Sequence, residues 1–140
     1  MKHIKAARPD VLFLQFDDPD DAGHSAGFHP GDPDYLGTLR RIDGYVGRLV
    51  ETTQARSASH DEEWLIILLS DHGGTEGRSH GGQSIEERRV PFMVSGQGVA
   101  LGEIDEQVYH VDTCATAMAF LGVPIKPEWD LDGKARGLVN

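Results

Sequence analysis

The chain has 140 residues, which fits one domain rather than two. Its 13 Lys and Arg residues against 23 Asp and Glu residues give a net charge of −10 at pH 7, which argues against a nucleic-acid polymer or an anionic membrane as a partner. The single cysteine excludes an internal disulfide framework. No apolar run approaches the ~18 residues that span a bilayer, and the N-terminus lacks a secretory signal, so a cytoplasmic location is the default expectation.

The first predicted element is a strand over residues 11–16 (VLFLQF), a nearly continuous apolar run typical of a buried strand in a parallel sheet. Residues 17–34 are rich in Asp, Gly, His and Pro and are predicted to form a long loop. A helix with Asp34 as its N-cap should follow, because apolar residues then recur at steps of three and four. These residues are Leu36, Leu39, Ile42, Val46, Leu49 and Val50. Residues 54–63 are polar and are predicted to be a surface connection.

Residues 64–69 (WLIILL) are the strongest strand signal, and their continuous apolar character predicts cover on both faces. A third strand is predicted over residues 90–94, where Pro91 restricts it to a strand end or a sheet edge. Asp112 is predicted to cap a last helix, over residues 113–121, that Gly122 closes. This order of elements predicts an α/β layer sandwich, in which chemistry lies beyond the carboxyl ends of the strands.

The loop after the first predicted strand holds an acidic and an imidazole side chain four residues apart. Asp20 and His24 can converge on one ion if this segment is a turn or a short helix. Gly23, beside them, would let the backbone turn tightly next to a ligand. The spacing therefore makes this loop half of a candidate metal site.

The loop after residues 64–69 supplies the other half. Asp71 and His72 stand directly at the predicted strand end, where a tight turn lets both approach one metal or bracket two. His80 follows eight residues after His72. Mixed imidazole and carboxylate ligands suit zinc first, then manganese or iron, whereas carboxylates alone would suit magnesium or calcium.

The remaining acidic and imidazole residues have ordinary explanations. Aspartates in Gly- and Pro-rich loops are usually turn-formers, and isolated histidines are usually surface or core residues. The aspartates read in this way are Asp17, Asp18, Asp21, Asp32 and Asp34. The histidines are His3, His29, His60 and His110.

The ordered motifs resemble the C-terminal half of the alkaline phosphatase superfamily, in its type I phosphodiesterase/nucleotide pyrophosphatase branch. The resemblance rests on Asp-x-x-x-His at residues 20–24, SDHGG at 70–74 and SHGG at 79–82. Residues 89–92 (RVPF) and the closing segments VDT, LGVP and LDGK are similar to the same branch. The resemblance covers nearly all of the chain from Val11 onward.

This resemblance implies an alkaline phosphatase-like α/β/α sandwich with two divalent metal ions, Zn²⁺ or alternatively Mn²⁺. Asp20, His24 and His80 would bind one ion, and Asp71 and His72 the other. The implied activity is metal-dependent hydrolysis of a phosphoric ester, with a phosphate ester or a nucleotide-type small molecule as substrate.

The sequence departs from the family at its N-terminal side. The family takes a further Asp and a Thr or Ser nucleophile from the N-terminal half, and the ten residues before the first predicted strand supply neither. The expectation is therefore a truncated domain, with residues 1–140 as its C-terminal portion, strands missing and no catalytic residue of its own. It would be inactive alone, and a separate N-terminal half is a candidate partner.

Alternatives remain open at this stage. The chain could be a non-catalytic metal-binding module, or a structural fragment whose acidic loops are merely solvated. Within the superfamily, sulfatases use one calcium, which three histidines fit poorly, and phosphomutases share the two metal sites. Cys114 is expected to be a small buried apolar residue of the last helix.

Overall fold

The computed structural model describes Ile4 and residues 7–139, so His3 lies outside the described residues. Contacts along the chain divide it into two compact units. The first comprises Met1–Glu62 and His72–Val90, and the second comprises Glu63–Asp71 and Pro91–Asn140. The single domain expected over residues 1–140 stays a prediction.

The first unit contains the helices α1 (Asp18–Ala26), α2 (Pro33–His60) and α3 (Ile85–Arg88), of which α1 packs against α2. The long loop predicted over residues 17–34 is therefore wrong for its first half. Proline and three acidic residues occupy the first turn of α1, where the helix dipole favours negative charge. Composition that is typical of a turn is equally typical of a helix N-terminus, so it does not distinguish the two.

Helix α2 begins two residues earlier than predicted. Its N-cap is Asp32, whose carboxylate accepts hydrogen bonds from the backbone N–H groups of Asp34 (2.9 Å) and Tyr35 (3.0 Å). Pro33 has no N–H group and suits the first helical position, so the capping role moves from Asp34 to Asp32.

Helix α2 also continues to His60, so the connection predicted over residues 54–63 is wrong. Arg56, near the end of the helix, is buried, pairs with Glu62 and donates from Nη1 to the carbonyl of Ile4 at 2.5 Å. The buried side chains of α2 are polar, so apolar periodicity does not reveal the last turns of this helix. The buried residues are Thr38, Thr52, Thr53 and Arg56.

The second unit contains the strands β1 (Leu65–Leu69) and β2 (Phe92–Gly96), the helix α4 (Asp112–Phe120) and a 3₁₀ turn at Pro127–Trp129. Both predicted strands are confirmed, to within two residues. They pair antiparallel, with Leu65 opposite Gly96 and Leu69 opposite Phe92, and β1 is half-buried throughout. The expected parallel, doubly covered arrangement is wrong here, because an apolar run reports burial and not strand direction.

Residues 11–16 do not form a strand in the structure. The sheet among the described residues has two strands, β1 and β2, and Phe13 is 84% exposed. Apolar patterning reports the propensity of a segment, whereas a strand also needs the backbone groups of a neighbour. Helices with a small sheet are compatible with an alkaline phosphatase-like α/β domain, and the three-layer sandwich stays a prediction.

Asp112 organises the second unit. Its side chain is buried and accepts hydrogen bonds from the backbone N–H groups of Tyr109 (2.9 Å) and Lys134 (2.8 Å) and from the Arg136 guanidinium (3.2 Å). Helix α4 begins at Asp112, one residue before its predicted start, and ends before Gly122. The predicted capping role of Asp112 is wrong, because Val111 occupies the N-cap position and the Asp112 carboxylate bonds to neighbouring loops. Cys114 on this helix is exposed, so its expected burial is wrong.

Burial alone raises the pKa of the Asp112 carboxyl. The hydrogen bonds from Lys134, Tyr109 and Arg136, together with the guanidinium charge, outweigh burial and hold that pKa below its ordinary value of 3.8. A depressed pKa in the folded state means that the ionised carboxylate stabilises the fold above the ordinary pKa. That contribution is lost as the pH falls through the folded-state pKa.

We predict that Asp112→Asn lowers the free energy of unfolding at pH 7 by about 2 kcal/mol, because hydrogen bonds to a charged acceptor are replaced by weaker ones. The loss should shrink as the pH falls below 3.8. Urea unfolding of the parent chain and of Asp112→Asn between pH 2 and 7 measures this loss of stability. Asp105→Asn, at an exposed position, is the matched control, and an equal loss in that variant would contradict the prediction.

Candidate metal centre

One turn of α1 carries the first two residues of the site. Asp20 and His24 are four residues apart on this helix, so their side chains lie on the same face. The Asp20 Oδ2 atom is 3.5 Å from His24 Nε2. The predicted pairing is present, and it is made by a helix rather than by the expected loop.

Two further imidazoles of the first unit reach the same carboxylate. His80 Nε2 lies 3.4 Å from Asp20 Oδ1 and 3.1 Å from His24 Nε2. The ring of His72 stacks on that of His80 with 3.7 Å between centroids and 19° between planes. His72 Nε2 is 3.9 Å from Asp20 Oδ1. Four of the five predicted ligand residues therefore lie together.

The fifth predicted ligand, Asp71, belongs to the second unit. It is exposed, follows β1 by two positions and immediately precedes His72 in the chain. Its assignment with His72 to a second ion stays a prediction.

Backbone carbonyls orient two of the imidazoles. His24 Nδ1 lies 3.0 Å from the carbonyl oxygen of Arg78, and His72 Nδ1 lies 2.8 Å from that of Gly73. A carbonyl can only accept, so in each ring the Nδ1–H group donates and Nε2 is left as the nitrogen with a free electron pair. In both rings this Nε2 atom faces Asp20. A metal-binding imidazole requires this tautomer, with its proton on Nδ1.

Asp20, His24 and His80 form a group whose ligand atoms all lie within 4.8 Å of one another. In a tetrahedral zinc site with ligands about 2.0–2.1 Å from the ion, ligand atoms are about 3.3–3.5 Å apart. The distances from His80 Nε2 to Asp20 Oδ1 (3.4 Å) and from His24 Nε2 to Asp20 Oδ2 (3.5 Å) agree with that spacing, each to a different oxygen of the carboxylate, and the two Nε2 atoms are slightly closer, at 3.1 Å. Among the described residues, the buried Asp20 Oδ1 atom has no hydrogen-bond partner, as expected of an oxygen shaped to meet a cation. The residues therefore fit a divalent ion.

Tyr35, in the first turn of α2, is a neighbour of the site that the sequence did not reveal. Burial raises the pKa of its hydroxyl, and the negative charge of Asp20 raises it further. Tyr35 is consequently neutral at physiological pH, so it adds no negative charge beside the carboxylate. No spacing rule links residues 20 and 35, and only the packing of α1 on α2 brings them close.

The loop that carries His80 is held by Glu87 of α3. The Glu87 carboxylate accepts hydrogen bonds from the N–H groups of Gly82 (2.7 Å) and Ser84 (3.1 Å), and the Ser84 side chain completes a capping box. The bond from the Ser84 hydroxyl lowers the pKa of Glu87 most, followed by the Gly82 and Ser84 N–H groups. The S-x-x-E pattern in the sequence was a signal that could have found this clamp.

The remaining histidines lie elsewhere. His29 pairs with Glu76 at 3.2 Å, His60 contacts Ser59, and His110 Nε2 lies 2.8 Å from the carbonyl of Ser70. The other loop aspartates also have structural positions: Asp18 and Asp21 lie in the first turn of α1, and Asp32 caps α2.

Helices with a small sheet, and a cluster of one carboxylate with imidazoles, are compatible with the alkaline phosphatase superfamily that the motifs resemble. The chain belongs to the type I phosphodiesterase/nucleotide pyrophosphatase family, whose sequence profile matches residues 1–112. This match confirms the resemblance inferred from the motifs. No solved structure matches the chain.

Curated relatives carry a more specific description. The chain is 29% identical over 128 residues to the catalytic subunit of human GPI ethanolamine phosphate transferase 2, covering 89% of the chain and 13% of that protein. It is 30% identical to GPI ethanolamine phosphate transferase 1 of Yarrowia lipolytica, over 64% of the chain and 9% of the relative. The Neurospora crassa transferase 1 is 32% identical over the same shares. The chain thus spans about one eighth or less of these relatives.

Among the described residues, no helix has both the length and the apolar character required to cross a bilayer. The cytoplasmic location stays a prediction.

We predict that Glu87→Ala speeds hydrogen exchange at the Gly82 and Ser84 amides at least about tenfold, because each loses a charge-assisted hydrogen bond. Amide exchange followed by NMR measures the change. Glu86→Ala, one position earlier on the same helix, should leave both amides protected. Equal acceleration in the two variants would show that the helix as a whole, and not the carboxylate clamp, protects this loop.

Proposed function

We propose that Asp20, His24 and His80 hold a divalent cation, preferentially Zn²⁺, in the site of an enzyme that processes phosphoric esters. The observation that carries this proposal is the convergence of two Nε2 atoms and one carboxylate within 4.8 Å. Three protein ligands leave a fourth position open, which is typical of catalytic rather than structural zinc sites. Mn²⁺ is the alternative ion.

We further propose that His72 and Asp71 serve a second cation, as the family resemblance implies. Its support is the orientation of His72, whose Nδ1–H group faces the Gly73 carbonyl while Nε2 lies 3.9 Å from Asp20 Oδ1. Asp20 Oδ1 would then lie between the His80 and His72 nitrogens.

The chemistry that bound ions supply to this family is charge neutralisation on the phosphoryl oxygens and activation of the nucleophile. The protein's own contribution is positional. Asp20 and His24 are fixed to one helical turn, and His80 is fixed by the loop that Glu87 holds. We assign no nucleophile among the residues of this chain.

The proposed reaction is transfer of a phosphoryl-containing group from a phosphodiester. Transfer of ethanolamine phosphate is favoured because the curated relatives are named for it. Hydrolysis of a phosphodiester or of a nucleotide-type substrate is the second candidate, and the family description favours it. The three-layer α/β/α sandwich of the superfamily is proposed as the architecture in which either reaction would run.

We predict that the chain binds Zn²⁺ and that His24→Ala weakens the binding by more than about 100-fold, since loss of an outer hydrogen-bond partner alone costs 10- to 100-fold. Isothermal titration calorimetry measures both affinities. His60→Ala, at the far end of α2, is the matched control and should bind like the parent chain. Absence of zinc binding by the parent, or equal losses in the two variants, would refute the proposed site.

A second prediction concerns anions. A chain of net charge −10 repels a phosphate-like dianion, so phenylphosphonate should bind only after zinc has been added. Phenylphosphonate is titrated into three samples: the zinc-loaded chain, the EDTA-treated chain and the His24→Ala variant. Binding is expected only in the zinc-loaded parent chain. Equal binding with and without zinc would remove the link between the cation site and phosphoryl recognition.

A further inference from the structure

Phe28 stands against both proposed zinc-binding histidines. Its ring meets that of His24 edge-on, with 5.7 Å between centroids and 78° between planes. It meets that of His80 in the same way, at 6.1 Å and 87°. The ring of Tyr35 also packs edge-on against that of Phe28, with 5.8 Å between centroids and 68° between planes. One aromatic ring therefore contacts both imidazoles whose Nε2 atoms lie 3.1 Å apart.

Two glycines make the space for this ring. A Cβ atom on Gly23 would lie 2.3 Å from the Phe28 ring, and one on Gly74 would lie 2.2 Å from it. Neither position can accept a methyl group unless the ring moves. Since the ring is confined by glycine backbone at both positions and by three aromatic neighbours, a displacement would be passed to His24 or His80.

Gly23 has a steric role here rather than a conformational one. It lies within α1, where glycine is the poorest helix former apart from proline. The tight backbone turn expected of it from the sequence is absent, because the residue is helical. What Gly23 provides is close approach of α1 to Phe28, beside the turn that carries Asp20 and His24.

We propose that Phe28, seated between Gly23 and Gly74, is a positioning residue that sets the spacing of His24 and His80 for cation binding. This inference rests on the proposed function of the site. The ring blocks rotation of both imidazoles, so their Nε2 atoms stay directed at Asp20. Edge-on aromatic contacts favour this geometry without adding a polar group that could compete for the ion.

The central experiment is a comparison of two glycine substitutions in helices. Gly23→Ala should weaken zinc binding at least tenfold in calorimetry, because the added methyl displaces the ring. Gly47→Ala in α2, where an added Cβ meets nothing within 4 Å, should leave zinc affinity unchanged. Equal affinity of Gly23→Ala and the parent chain would overturn the proposal.

Variants of the ring separate positioning from simple packing. Phe28→Tyr keeps the flat ring and should retain zinc affinity within about twofold, whereas Phe28→Leu should weaken it at least tenfold while circular dichroism shows a folded chain. In the double variant Gly23→Ala/Phe28→Ala the methyl has room, so its affinity should equal that of Phe28→Ala alone. Additive losses in the double variant would contradict the coupling.

Imidazole NMR spectra of the metal-free chain provide a readout that does not depend on zinc. Phe28→Leu should weaken the NOEs between the ring protons of His24 and His80, whose centroids are 4.9 Å apart in the parent chain. If the parent chain binds no zinc, the proposed function fails, and the NMR comparison still decides whether Phe28 orients the two rings. Unchanged NOEs between the His24 and His80 rings would overturn the positioning role whatever the zinc result.

Discussion

The site depends on one carboxylate placed among imidazoles. Asp20 lies within 3.9 Å of the Nε2 atoms of His24, His72 and His80, and its Oδ1 atom is buried without a hydrogen-bond partner among the described residues. Such an oxygen is costly in a folded chain unless something positive meets it. The carbonyl contacts that direct Nε2 inward, the clamp at Glu87 and the ring of Phe28 all act on this arrangement.

The residues that the structure brings together around Asp20 could be predicted from the sequence because residue type and spacing together limit the chemistry. Asp20 and His24 reach one ion only if the backbone between them forms a turn or a short helix, and His80 reaches it only if its loop lies beside them. The spacing could not decide between a turn and a helix. The Asp- and Pro-rich composition of this segment suits a helix N-terminus as well as it suits a turn.

Two supporting residues, Phe28 and Tyr35, could not be found from sequence patterns, for a different reason. Phe28 and Tyr35 have no polar signature, and their role comes from where α1 packs on α2. The same limit applied to the fold. Residues 65–69 were recognised as a strand by composition, but strand direction depends on the partner, which here runs antiparallel. Helix α2 was predicted too short because its last buried positions are Thr and Arg.

Helix α1 has only nine residues, and a helix of that length is marginal in water without tertiary support. Asp20 and His24 lie on one turn of this helix, so unwinding of that turn would displace both proposed metal ligands together. Occupancy of the centre and helicity of this segment are therefore thermodynamically linked. An ion bound there would therefore stabilise α1, and any change that destabilises α1 would lower the affinity for the ion.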